Sequence, residues 1–165
     1  MTPKKLSPEV SKMLNERIND EYGHHYFYRQ VANFCENVGF MKAANYFHEE
    51  AIEEQGHSQI IQKYLTDWNI MPSLMPIEPP TKVMSLVDAL EKAYEKEYEL
   101  FSTYEEISGE IFKMGDFATF DFLQQFRKIQ TEAVATYSTF LNQLETIDKE
   151  DKNWVYEFEK RAFKQ

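Results

Sequence analysis

Proline is concentrated in one segment of this chain, residues 69–81, which read NIMPSLMPIEPPT. Four of the six prolines lie there, which predicts an extended or turned segment, because proline cannot continue a helix. The segment divides the 165 residues into halves of similar length, and Gly39 and Gly115 divide each half again. Since the chain has only five glycines, turns must be few, and this favours long helices over many short strands.

Five helices are predicted between these breaks. Their approximate ranges are 7–36, 41–68, 83–113, 117–146 and 152–163. The tripeptide SPE at residues 7–9 is typical of a helix N-terminus, with a capping hydroxyl, proline at the first helical position and an acid in the first turn. Ser85 or Thr81 is the predicted cap of the third helix, and Asp116 is the predicted cap of the fourth.

The connections between the helices predict their arrangement. Short turns at Gly39 and Gly115 make antiparallel hairpins, whereas the linker at residues 69–81 is long enough to cross a helix bundle lengthwise. We therefore predict an all-α fold in which residues 1–165 form a single domain. Its four-helix bundle would span about 7–146, with a long crossover between the second and third helices, and a short fifth helix would span about 152–163.

The composition excludes several classes of protein. The chain has 18 Lys and Arg against 28 Asp and Glu, a net charge of −10, and no basic cluster, so no nucleic-acid partner is expected. No apolar run approaches the roughly 18 residues needed to cross a membrane, and no leader peptide is recognised. The single cysteine, Cys35, excludes cysteine-rich zinc sites and fits a reducing compartment, so we expect a cytoplasmic protein.

Each long helix carries an apolar seam with spacings of three and four, which should face the core. The seam of the second helix runs from Ala43 to Trp68. Outside the seams, the aromatic residues Tyr26, Phe27 and Tyr46 are expected to face outward, where contacts between subunits would bury some of them if the chain self-associates. The seam of the third helix consists of Leu86, Leu90, Ala93, Glu97, Leu100, Tyr104, Ile107 and Ile111.

Polar residues interrupt the four seams near the middle of each helix. They are Glu21, Glu54, Glu97 and Gln130, and His57 follows Glu54 by one turn. In a bundle of equal helices the middles meet at one level, where unpaired carboxylates would be costly unless a cation offset their charge. Carboxylates with one imidazole suit iron or manganese better than structural zinc. Since Glu54 could bridge two ions, we predict a site for two metals.

Other polar residues of the first two helices are not interpreted as metal ligands. His24 lies beside the seam and is assigned to the surface or to a position behind the ligands, although Glu21-x-x-His24 has the same spacing as Glu54-x-x-His57. His25 is interpreted as a hydrogen-bonded core histidine and His48 as solvated. Tyr28 is interpreted as core, with its hydroxyl directed toward the site.

The order and spacing of these residues resemble the ferritins over nearly the whole chain. The matching features are Leu14-Asn15-Glu16 leading to Glu21 and Tyr28, then Glu53-Glu54-x-x-His57, Glu97 and Gln130-x-x-Ala133. The resemblance implies a ferritin-like four-helix bundle that assembles with other copies of itself into a hollow shell of 24 subunits. It also implies a di-iron centre that oxidises Fe(II), and a short last helix that lines the four-fold channels of the shell.

The resemblance assigns the iron ligands residue by residue. Glu21, Glu54 and His57 would hold the first iron. Glu97 and the bridging Glu54 would hold the second iron, with Gln130 nearby.

The resemblance also gives two residues a role beside the irons. Glu53 would sit next to the centre and help ions to leave toward the cavity. Tyr28 would be a catalytic tyrosine close to the bridging oxygen.

The chain departs from several relatives of the ferritins at identifiable positions. Gln130-x-x-Ala133 resembles the animal H-type arrangement and lacks the second Glu-x-x-His of bacterioferritins and rubrerythrins. Ile129 stands where bacterial ferritins place a glutamate that binds a third iron. The sequence therefore does not decide whether this chain has a third iron site. Gln55 occupies the place of the bacterioferritin haem methionine, so no haem is expected.

The predicted function is iron storage with ferroxidase activity, in which dioxygen or peroxide oxidises Fe(II) and the Fe(III) enters a mineral. Three alternatives remain at this point. The first is a non-catalytic subunit of a ferritin shell, and the second is a helical interaction or signalling module without metal. The third is a di-iron oxygenase, although these enzymes usually carry a second Glu-x-x-His.

Overall fold

The computed structural model describes residues 1–164, which form α-helices joined by turns and one long connection. The helices are α1 (Pro8–Val38), α2 (Met41–Asp67), α3 (Leu86–Lys113), α4 (Phe117–Glu145) and α5 (Trp154–Ala162). No β-strand occurs within residues 1–164. The predicted helices are confirmed, and no helix end differs from its prediction by more than three residues. In the same range, no helix combines the length and the apolar character needed to cross a membrane.

The first compact unit, Met1–Lys82, is the hairpin of α1 and α2 together with most of the connection that follows. Ser7 caps α1 as predicted, because its Oγ accepts a hydrogen bond from the N–H of Val10 at 3.2 Å. Gly39 ends the helix in the left-handed conformation, with φ of 90°, which glycine adopts without a steric penalty. The N–H of Phe40 then donates to the carbonyl of Cys35 at 2.8 Å, so the chain reverses within two residues.

The connection between α2 and α3 lacks regular structure, as its prolines predicted, and side-chain hydrogen bonds attach it to α1. The N–H of Ser73 donates to Oδ1 of Asn15 at 2.8 Å. Nearer the other end of α1, Nε2 of Gln30 donates to the carbonyl of Thr81. The crossover is therefore held along α1 from the level of residue 15 to that of residue 30.

Aromatic rings pack inside the first hairpin. The burial of two aromatic residues there differs from the prediction. Tyr28 of α1 stacks on Phe47 of α2, with ring centroids 5.9 Å apart. Phe27, which was expected to face outward, is fully buried, whereas its neighbour Tyr26 is exposed. Trp68, expected at the end of the second seam, is exposed and Leu65 is buried instead. Over a helix of 27 residues, a seam spaced by 3.5 residues drifts away from the true period of 3.6.

The second compact unit starts at Val83 and contains α3, α4 and α5. Ser85 caps α3, accepting a hydrogen bond from the N–H of Asp88 at 3.0 Å, which decides between the two predicted caps. Asp116 caps α4 as predicted. Its Oδ1 accepts from the N–H of Thr119 at 3.0 Å, and its Oδ2 accepts from the hydroxyl of the same residue at 2.7 Å.

The packing of α3 against α4 follows the predicted seams closely. All eight predicted seam residues of α3 are buried. Tyr104 of α3 stacks on Phe126 of α4, with centroids 5.3 Å apart and ring planes within 12°. After α5, Phe163 stacks on Phe140 of α4 at 4.8 Å, so the short last helix is attached to the second hairpin by aromatic contact. The prediction that residues 1–165 form one domain stays a prediction.

The cap of α4 is expected to contribute to the stability of the fold. Asp116→Ala is expected to lower the free energy of unfolding by about 1 kcal/mol, because the two hydrogen bonds that Asp116 accepts from Thr119 at the helix N-terminus are lost. Asp116→Asn should retain most of the stability, since asparagine caps as well as aspartate. Denaturant unfolding followed by far-ultraviolet circular dichroism measures both changes. The exposed Asp121, five residues later, provides the charge-matched control variant Asp121→Ala. Equal losses in the two alanine variants would contradict the capping role.

Candidate metal centre

The hairpin of α1 and α2 brings three of the predicted ligands together. Nδ1 of His57 lies 3.4 Å from Oε2 of Glu21 and 3.4 Å from Oε2 of Glu54. One donor atom from each of the three residues lies within 4.8 Å of the other two. Glu54 and His57 share a face because residues three apart on a helix are neighbours, and Glu21 approaches them from α1.

This cluster is enclosed by the hairpin's apolar seams. Glu21 is 0% exposed and Glu54 is 4% exposed, and the seam residues one turn away, Ile18 and Ile61, are fully buried. Two carboxylates in such surroundings would lose their hydration and repel each other unless a proton or a cation stood between them. A divalent cation offsets both charges at once, so this group has the ligand types and the spacing of a metal site.

The protonation of Glu21 reflects its neighbours. Burial raises the pKa of this carboxyl, but hydrogen bonds with Glu54 and His57, and the positive charges that His57 and His24 carry when protonated, outweigh burial and lower the pKa to about 2. Glu21 is therefore held as a carboxylate at neutral pH. An ionised carboxylate is the form that binds a metal ion.

The second hairpin holds the other two predicted ligands in direct contact. Nε2 of Gln130 donates to Oε2 of Glu97 at 2.8 Å and to the carbonyl oxygen of Glu97 at 3.3 Å. Both side chains are buried. Oε1 of Gln130 is also buried and accepts no hydrogen bond from any residue that the structure describes. A buried amide oxygen beside a carboxylate is a suitable donor for a cation.

The two residues predicted to assist the irons lie in different surroundings. Glu53 is exposed and is not part of the three-residue group on the hairpin, because one residue along a helix corresponds to a rotation of about 100°. Tyr28 is fully buried, one heptad after Glu21, and its ring meets the edge of the His24 ring at a centroid distance of 6.3 Å. Their roles in the chemistry stay predictions.

The structure excludes a surface position for His24 and corrects the burial interpreted for His25. His24 is buried, at 8% exposed, and one of its ring nitrogens lies within 4.8 Å of a carboxylate oxygen of Glu54. His25 is hydrogen-bonded as predicted, with Nδ1 2.5 Å from the carbonyl oxygen of Ala51. It is half-buried, however, and does not lie in the core as the sequence predicts. The spacing Glu21-x-x-His24 is the signal in the sequence that could have placed His24 on the same face of α1 as Glu21.

His48 lies away from the cluster, near the turn between α1 and α2. Its Nδ1 is 3.2 Å from the guanidinium of Arg29, and its Nε2 is 3.6 Å from a carboxylate oxygen of Glu36. It is partly exposed, which agrees with the expectation that it is solvated.

Comparison with known proteins identifies relatives of the chain. The model of a family described as a ferritin-like domain matches residues 11–147. A probable bacterial non-heme ferritin-like protein of Haemophilus influenzae is 30% identical over 148 residues, which cover 89% of this chain and 90% of that protein. A bacterial non-heme ferritin of Staphylococcus aureus (strain MRSA252) is 30% identical over 156 residues, covering 92% of this chain and 93% of the relative.

Solved structures of ferritins also superpose on this chain. A closed form of the Archaeoglobus fulgidus ferritin, engineered by site-directed mutagenesis, superposes with a TM-score of 0.88 at 25% identity over 98% of both chains. The open-pore ferritin of the same archaeon superposes with a TM-score of 0.87 at 24% identity, which supports the fold alone. The predicted fold, an all-α ferritin-like four-helix bundle with a long crossover and a short fifth helix, is confirmed, and the chain belongs to the ferritin family.

Proposed function

We propose that this chain is an iron-storage ferritin that oxidises Fe(II) at a di-iron centre inside its bundle and stores the Fe(III) as a mineral within a hollow shell. The observation that carries the proposal is the buried group of Glu21, Glu54 and His57 on the first hairpin. Membership of the ferritin family supports the storage role, and the chemistry of the ligands supports the oxidation.

The ligand set suits this reaction. Two carboxylates and an imidazole bind Fe(II), and the same negative charges stabilise the Fe(III) that forms, because the product carries the higher charge. Two Fe(II) ions supply two electrons. Together with two protons these electrons convert dioxygen to hydrogen peroxide, or peroxide to two water molecules. The metals supply the redox change, and the protein supplies the geometry and a carboxylate that can be shared between two ions.

The second ion is assigned to Glu97, with Gln130 beside it and Glu54 as the shared carboxylate. Support for this assignment comes from the direct hydrogen bond between Glu97 and Gln130. It also comes from the buried amide oxygen of Gln130, which accepts no hydrogen bond among residues 1–164. We further propose that Tyr28 acts next to the centre and that the exposed Glu53 assists the departure of ions, as in the ferritins that the chain resembles.

Removal of two ligands from the first hairpin tests the ferroxidase assignment. The double variant Glu54→Ala and His57→Ala is expected to lose fast oxidation by about 100-fold or more, because both the shared carboxylate and the imidazole are gone. Absorbance of Fe(III) after mixing apoprotein with Fe(II) in air measures the rate.

A matched control lies on the same helix. The variant Glu49→Ala with His48→Ala removes the same residue types from positions outside the cluster and should retain the rate of the unmodified chain. Full-rate oxidation by the Glu54 and His57 double variant would refute the assignment of the centre.

The role of Glu97 is tested separately by counting ions. Glu97→Ala is expected to reduce the number of Fe(II) ions bound per chain without oxygen from two to one, because the ligands on the first hairpin remain. Anaerobic isothermal titration provides the count. Glu95→Ala, an exposed change on the same helix, should leave two ions bound. Two ions bound by Glu97→Ala would remove Glu97 from the centre.

Particle size tests the proposed shell. Twenty-four chains of 19.6 kDa would form a particle of roughly 470 kDa, visible as a hollow sphere by electron microscopy. The Glu54 and His57 double variant should form the same particle, since both side chains are largely enclosed by the hairpin. A chain that elutes as a monomer or dimer in gel filtration would contradict the shell.

The same measurements distinguish the competing functions. A full-sized particle that takes up iron without fast oxidation would identify a non-catalytic shell subunit. A small oligomer that binds no iron would favour an interaction module, but this alternative leaves the buried carboxylates Glu21, Glu54 and Glu97 without a chemical reason.

A further inference from the structure

We propose that His24 is a metal ligand, so that the first hairpin carries two Glu-x-x-His motifs, Glu21-x-x-His24 on α1 and Glu54-x-x-His57 on α2. The inference rests on the proposed function, because it adds a nitrogen donor to the same centre. The ion that it favours is a divalent first-row transition ion such as Fe(II), Co(II) or Zn(II).

The position of His24 is that of a ligand. It follows Glu21 by three residues, so the two side chains share one face of α1. The imidazole is buried, and one of its nitrogens lies within 4.8 Å of a carboxylate oxygen of Glu54. Ligand bonds of about 2.0–2.2 Å place two donor atoms on one ion at most about 4.4 Å apart. A shift of a few tenths of an ångström therefore suffices for His24 and Glu54 to share an ion.

The motif gives the hairpin a near-symmetrical donor set. Each helix supplies one carboxylate and, one turn later, one imidazole, and Glu54 lies close to both imidazoles. Neutral imidazole adds a donor without adding negative charge to a site that already holds buried carboxylates. Nitrogen ligands also shift the preference of the site away from Mg²⁺ and Ca²⁺ and toward iron, cobalt and zinc.

A purely structural role for His24 is the competing explanation. Its ring meets Tyr28 edge to face, with an interplanar angle of 79°, and this contact alone could account for a buried aromatic side chain. The two explanations differ in one respect. Packing requires a ring, whereas coordination requires a ring nitrogen.

The variant His24→Phe separates these explanations, because it keeps an aromatic ring against Tyr28 and removes both nitrogens. Anaerobic titration of the intact apoprotein with Co(II), which does not undergo oxidation there, is followed by calorimetry and by visible absorbance. We expect His24→Phe to bind one of the Co(II) ions at least about 10-fold more weakly and to change the Co(II) spectrum. His25→Phe, at the next position and outside the cluster, should bind Co(II) as the unmodified chain does.

A second measurement does not depend on a variant. Crystals of the unmodified protein soaked in Co(II) or Zn(II) should show an anomalous peak about 2.0–2.2 Å from a ring nitrogen of His24. An ion held by Glu21, Glu54 and His57 with His24 more than 3 Å away would overturn the inference, even if the variant proved unstable. Wild-type Co(II) affinity and spectrum in a folded His24→Phe would overturn it as well.

Failure of this inference can be distinguished from failure of the proposed function. If the unmodified protein and the Glu54→Ala, His57→Ala variant both fail to bind Co(II), the metal centre itself is wrong and the role of His24 is refuted with it. If the unmodified protein binds Co(II) and His24→Phe is indistinguishable from it, only the additional ligand is refuted.

Discussion

Two carboxylates, Glu21 and Glu54, are buried against one imidazole, His57, inside a hairpin whose interior is mostly apolar. Their contact requires that residue 21 of one helix and residue 54 of the next reach the same level with the same orientation. A slip of one residue in either helix would rotate a carboxylate by about 100° and remove it from the group. The cap at Ser7 and the left-handed turn at Gly39 define where α1 begins and ends, and the contact among the three side chains depends on that registration.

Much of this arrangement could be predicted because it depends on local chemistry. Proline, glycine and capping residues act on the backbone next to them, so the helix ends at Ser7, Ser85 and Asp116 follow from the sequence. Residues spaced by three or four meet on one helix face, and this placed Glu54 beside His57. The contact of Glu97 with Gln130 followed from the seams of α3 and α4, which have pronounced apolar faces.

The remaining details depend on tertiary packing that spacing alone does not define. Helix α1 buries a stripe wider than one seam, including Phe27 and His24, so adjacent residues such as His24 and His25 could not be assigned to inside and outside. The hydrogen bond from Ser73 to Asn15 joins residues 58 apart, and no local pattern encodes it. The exposure of Glu53 shows the same limit, because a run of two glutamates does not reveal which one points inward.

The cluster of Glu21, Glu54 and His57 is contained within one hairpin of consecutive helices, and this has a consequence for biosynthesis. A ribosome completes α1 and α2 before it begins α3, and chains begin to fold from the N-terminal side during synthesis. The proposed ligands of the first iron can therefore meet an ion before the second half of the chain is complete. Because metal binding contributes directly to folding free energy, the availability of iron would then influence the protein from its earliest stage in the cell.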